Sequence, residues 1–137
     1  MGLILDSSVL ITAERKGETV GQLLKQVFAA LGDQDTVLPA IALVELAHGI
    51  YRANTPAIRT RREAFIQELL RDVPVYPVTE QIALLAGRLD GEQQNKGIKI
   101  PFPDLLIGAT AVHLRYAVVT GNTRHFELIP DLEVKSL

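Results

Sequence analysis

GLILDSSVLITAERKG, residues 2–17, sets an apolar run of four, a single acid and a serine-led segment in immediate succession. "GLIL" is short, unbroken by polar residues and ends at Asp6, which suits a buried strand. Ser7 is a good helix N-cap residue and Gly17 a good stop, so a short helix is predicted between them. A strand leading directly into a helix is the opening of an α/β chain, and the rest of the sequence repeats the pattern.

"ETVGQLLKQVFAALG" (18–32) spaces Val20, Leu23, Leu24, Val27, Ala30 and Leu31 at helical intervals and closes on Gly32. "TVLPA" (36–40) is a second short strand. "PAIALVELAHGIYRA" (39–53) follows as a helix, with Pro39 suited to its start. "PAIRTRREAFIQELLRD" (56–72) is helical, with Ile58, Phe65, Ile66, Leu69 and Leu70 on its apolar side. "VPVYPV" (73–78) reads as a strand whose two prolines favour an edge or a strand end. "TEQIALLAGRLDGEQQNKG" (79–97) starts on a threonine cap. "PDLLIGATAVHLR" (103–115) is a further helix, "YAVVT" (116–120) a strand, "NTRHFELIP" (122–130) a turn with a short helix, and "LEVKSL" (132–137) a last strand. Strands alternating with helices imply a mostly parallel β-sheet sandwiched between α-helices. Ligands of such sheets bind beyond the carboxyl ends of the strands. Asp6 stands just past one predicted strand, and Thr120 to Asn122 just past another.

The totals agree with one domain over residues 1–137 that is able to bury a core. The chain is 47% hydrophobic and 22% charged, with a formal net charge of -2 and no cysteine. That balance gives no global attraction to nucleic acid, so a nucleic-acid ligand would need a local basic patch or metal ions. Without cysteine there is no disulfide framework and no thiolate site. The N-terminal run lacks a basic segment and is broken by Asp6, unlike a signal peptide. No apolar run approaches the roughly 18 residues of a membrane helix. A cytoplasmic protein is expected.

Three acids stand out. Asp6 follows "LIL", Glu45 sits inside "IALVELA" and Asp104 precedes "LLIGATA"; none has a lysine or arginine within three positions. Most other acids have polar company, such as Glu14 near Arg15 and Lys16, or Glu63 beside Arg62, and read as solvated. Each special acid has a plain reading. Asp6 would cap a helix, Asp104 would favour a first turn, and Glu45 would be an exposed position. Jointly they suggest that the fold gathers three carboxylates. Two carboxylates about 4 Å apart repel by roughly 4 kcal/mol at an effective dielectric near 20. Proton uptake or a divalent cation must compensate. An all-oxygen site suits Mg²⁺ or Mn²⁺ better than Zn²⁺, and such a site serves phosphodiester hydrolysis.

"LILDSSVL", "ALVELAHGI", "PDLLIGATAVH" and "AVVTGNTRHFELIPDLEV" occur here in one order over essentially the whole chain. Together they resemble the PIN-domain ribonucleases, and among them the VapC-type toxins of toxin–antitoxin systems. The resemblance implies a metal-dependent endoribonuclease with Asp6, Glu45 and Asp104 as catalytic, metal-holding acids, with Mg²⁺ or Mn²⁺ as cofactor. It places Ser7 or Ser8 in a hydroxyl position supporting Asp6, with Ser8 preferred. Many relatives carry another Asp in a T-x-N/D-x-x-D-F segment. Here that segment is "TGNTRHF", so Asn122 and His125 stand where an acid is expected. Asn122 offers a carbonyl oxygen without charge, and a tightly held second metal loses its support. The resemblance further implies a homodimer, an RNA substrate and a cognate antitoxin that blocks the acidic pocket with a basic side chain. A PIN nuclease of RNA processing or DNA work, or a binding module without catalysis, are the rival expectations.

Other residues carry two readings each. Thr120 either orients a ligand or makes a strand-end hydrogen bond. His125 either touches the scissile phosphate or holds the last turn. His48 is expected to pack between helices and His113 to be peripheral. Arg59, Arg61 and Arg62 form the densest basic cluster, fit for an RNA backbone or for pairing with Glu63 and Asp72. Gly108, costly in a helix by about 1 kcal/mol relative to Ala, would be explained by close packing on the sheet.

Overall fold

A computed structural model describes every residue, Met1–Leu137. The elements run β1 (Gly2–Leu5), α1 (Ser7–Arg15), α2 (Val20–Leu31), β2 (Asp35–Pro39), α3 (Ala40–Tyr51), α4 (Pro56–Asp72), β3 (Val75–Tyr76), α5 (Glu80–Gln94), α6 (Phe102–Leu114), β4 (Ala117–Thr120), α7 (Thr123–Phe126) and β5 (Val134–Ser136). All strand pairs are parallel, in the order β3-β2-β1-β4-β5. The opening strand is therefore the centre of the sheet, and all four of its residues are buried.

Period-two alternation divides the core between the two faces. Leu3 and Leu5 of β1, with Ala117 and Val119 of β4, join residues of α1 to α4 in one apolar cluster. Ile4 and Val118, which point the other way, join α5, α6 and α7 in a second. Three helix starts have side-chain caps. Thr19 forms a capping box with Gln22, and Thr55 and Thr79 accept from the amides of Ile58 and Ile82. The helices beginning near Asp6, Pro39, Pro101 and Asn122 have none.

Several expectations shift. Pro39 ends β2 and precedes α3 instead of opening the helix. Helix α6 begins at Phe102, one residue before Pro103, so Asp104 lies within its first turn. The strand in "VPVYPV" shrinks to two residues on the sheet edge, where the flanking prolines lack donors. Gly108 is explained by a loop and not by the sheet. A Cβ there would come within 2.2 Å of Ile129 Cδ1 and 3.5 Å of Leu132. Leu70, expected on the buried side of α4, is 40% exposed. No helix is long and apolar enough to cross a membrane.

Candidate metal-carboxylate site

Asp6 closes β1 and precedes α1, yet its carboxylate makes no cap hydrogen bond. It is spent elsewhere. Ser8 Oγ donates to Asp6 Oδ2 at 2.7 Å and Thr120 Oγ1 donates to the same oxygen at 2.8 Å. Each hydroxyl has a single proton. Each also accepts a backbone amide, Gly121 N to Ser8 Oγ at 3.0 Å and Asn122 N to Thr120 Oγ1 at 2.9 Å. The loop after β4 thereby orients two hydroxyls that orient one carboxylate oxygen. No protein donor reaches Oδ1. The parallel register makes this possible: β1 and β4 are neighbours, and the Asp6 amide donates to Val119 O at 3.0 Å. Asp6 is 4% exposed and Thr120 fully buried.

Glu45 comes from the second turn of α3, which leaves β2 beside β1. Ser7 Oγ donates to its Oε1 at 2.9 Å. The two serines after Asp6 thus divide the work, Ser8 holding Asp6 and Ser7 holding Glu45. The second role was not expected, although the paired serines are its visible sign. Asp104, on α6, places Oδ2 2.8 Å from His125 Nδ1 of α7, so an ionised Asp104 accepts the ring N–H. His125 therefore holds a candidate site acid from the short helix after β4.

Glu45 and Asp104 sense the neighbouring acids. Burial raises the Glu45 carboxyl above its ordinary range; the Ser7 hydrogen bond opposes this, and the charges of Asp6 and Asp104 add to it. Burial likewise raises Asp104. The hydrogen bond and charge of His125 oppose that rise, and the charge of Asp6 adds to it. Mutual repulsion of this kind is what a divalent cation relieves. The side chains stand near enough to repel one another but do not close into a cage: no three His, Asp or Glu groups form a ready metal site. That arrangement fits Mg²⁺ or Mn²⁺, since a hard cation of this size keeps several waters and takes one or two carboxylates. Asn122 is exposed at the start of α7, its side chain making no cap hydrogen bond.

The peripheral residues sort differently from expectation. Glu14 is not solvated by its neighbours Arg15 and Lys16. It is buried, and Arg62 Nε donates to its Oε1 at 3.2 Å, with Arg61 Nε at 3.6 Å. Arg62 also donates to Gly49 O at 2.6 Å, so this member of the basic cluster is committed inside the protein. Arg59 and Arg61 remain exposed, and so are His48, expected to pack between helices, and His113.

The PIN-domain family profile matches residues 3–132. The chain belongs to the PIN-domain family. Within that family this PIN domain is 33% identical over 134 residues to Ribonuclease VapC of Rickettsia bellii, covering 98% of this chain and 95% of that protein. It is 30% identical to Ribonuclease VapC1 of Rickettsia felis, with the same coverage. Its fold matches the solved VapBC2 complex from Rickettsia felis bound to a promoter DNA fragment, at a TM-score of 0.86 and 20% identity. That alignment covers 100% of this PIN domain and 99% of the matched chain.

Proposed function

We propose that this PIN domain is a divalent-metal-dependent endoribonuclease acting as the toxin of a toxin–antitoxin pair. The observation that carries the reading is the set of carboxylates at Asp6, Glu45 and Asp104, gathered at the carboxyl edge of the sheet with Asp6 Oδ1 left without a protein donor. The kinship with VapC ribonucleases supports the substrate class and the role.

Asp6 Oδ1, Asp104 and Glu45 would hold Mg²⁺ or Mn²⁺. A cation bound there polarises the phosphate and lowers the pKa of an attacking water. Ser8 and Thr120 fix the Asp6 carboxylate so that its free oxygen is presented without rearrangement. His125 does the same for Asp104. Ser7 fixes Glu45 through Oε1, and Oε2, free of protein donors, is left for the cation or one of its waters. Asn122, beside Thr120, contributes a neutral carbonyl to substrate or solvent. Arg59 and Arg61 are exposed cations for the RNA backbone. Hydrolysis by water leaves a 5′-phosphate and a 3′-hydroxyl. The antitoxin would set a basic side chain against the acidic pocket. A homodimer would cover exposed apolar residues such as Val44 and Leu84, which are 60% and 70% exposed.

The test is cleavage of a mixed RNA pool with Mg²⁺, Mn²⁺ or EDTA, comparing wild type with Asp104→Asn. Metal-dependent cleavage that falls by at least ~100-fold in the variant is expected. Equal cleavage by both proteins, or cleavage in EDTA, would sink the reading.

A further inference from the structure

Beside the carboxylates lies a cavity of about 190 Å³ between α1, α3 and α4. We propose that it seats the nucleotide next to the cleaved bond, an inference that rests on the nuclease reading above. Glu45 belongs both to the carboxylate site and to the cavity wall, so a strand leaving the site past Glu45 meets the cavity. Ile11, Leu46, Phe65 and Ile66 supply an apolar wall for a base.

The charges favour a polyanion. Arg15, Arg52 and Arg62 line the cavity against Glu14 and Glu45, three cations to two acids in a chain whose formal net charge is -2. Arg62 is used up by Glu14 and the Gly49 carbonyl. Arg15 and Arg52 are exposed and enter no ion pair, leaving two cations for phosphate. Glu14 Oε1 takes the Arg61 and Arg62 contacts, while its buried Oε2 has no donor. The other sizeable cavity, near α2 and β2, is lined by Asp33, Asp35 and Asp72 with no cation, and would repel a phosphate.

The test is fluorescence anisotropy on a labelled single-stranded RNA that wild type cleaves, over a range of KCl with Mg²⁺ present. Asp104→Asn serves as the slow-cleaving background. Adding Arg15→Ala and Arg52→Ala should reduce the slope of log affinity against log salt by about 1.4, two phosphate contacts at about 0.7 each. Adding Arg88→Ala, on the far helix α5, should leave it unchanged. An abasic nucleotide is then moved through the same RNA. The background protein should lose affinity by fivefold or more at one position beside the cleaved bond. Ile11→Phe, which fills the cavity, should erase that positional loss. If Ile11→Phe fails to fold, the arginine variants, altered only at exposed unpaired residues, decide alone. An unchanged salt slope and a flat abasic profile would overturn the proposal and leave a protein tail as the cavity's occupant, with the nuclease reading intact. No cleavage of any RNA by wild type would overturn both.

Discussion

At Asp6, two hydroxyls converge on one carboxylate oxygen, and each is itself held by a backbone amide. Loosening that support should weaken metal binding without touching a ligand. Ser8→Ala or Thr120→Val is expected to lower Mn²⁺ affinity by about 10- to 100-fold, read by electron paramagnetic resonance titration. Unaltered affinity would make the hydroxyls purely structural. Glu45 and Asp104 predict a pH effect. Their carboxyls are raised above ordinary values near 4.5 and 3.8. The folded form therefore holds these protons more tightly than the unfolded chain. The resulting stability is fully present below the ordinary values and is lost as pH rises through the raised ones. In EDTA, Asp104→Asn should melt higher than wild type at pH 7, and the gap should close as the pH falls. A gap independent of pH would contradict this. At this scale the sequence was legible where an acid interrupted an apolar run, as at Asp6, Glu45 and Asp104. It misled at Glu14, because Arg15 and Lys16 are adjacent in sequence while the true partner, Arg62, is 48 positions away.

Among the elements, α1 and α4 are joined by that Glu14–Arg62 pair. Removing Arg62 leaves the buried Glu14 with only the longer contact to exposed Arg61, so Arg62→Ala should cost about 3 kcal/mol, measured by urea denaturation. Replacing both, as Glu14→Gln with Arg62→Met, should cost distinctly less; equal losses would show that packing and not charge is responsible. In α6, Gly108 faces Ile129 closely enough that an added methyl must displace it. Gly108→Ala should therefore destabilise by about 1–3 kcal/mol despite the better helix propensity of Ala. A gain in melting temperature would mean that the Ile129 side chain simply rotates away. Helix positions were legible because caps and apolar spacing are local. The shortening of β3 and the contact of Gly108 with a loop were not, since both depend on chain that arrives from elsewhere.

For the whole molecule, the proposed metal site predicts that divalent ions stabilise the fold by relieving repulsion among the carboxylates. At 100 times the dissociation constant, a bound Mg²⁺ or Mn²⁺ should add about 2.7 kcal/mol, visible as a rise in melting temperature that Asp6→Asn with Asp104→Asn abolishes. A melting temperature indifferent to either ion would remove the metal from the account. Alternation of strands and helices made the parallel, two-faced architecture legible. The order β3-β2-β1-β4-β5 was not, because the pairing of β1 with β4 is written in no local pattern.

That pairing has a consequence during translation. Asp6 is made 114 residues before Thr120, and Gly121 and His125 follow later still. A nascent chain lacks the support of Asp6 until β4 and the loop after it have been made. Products broken off before β4 lack the central neighbour of β1 and cannot assemble the site. On the nuclease reading, a cell making this protein is spared cleavage by chains that stop short of β4.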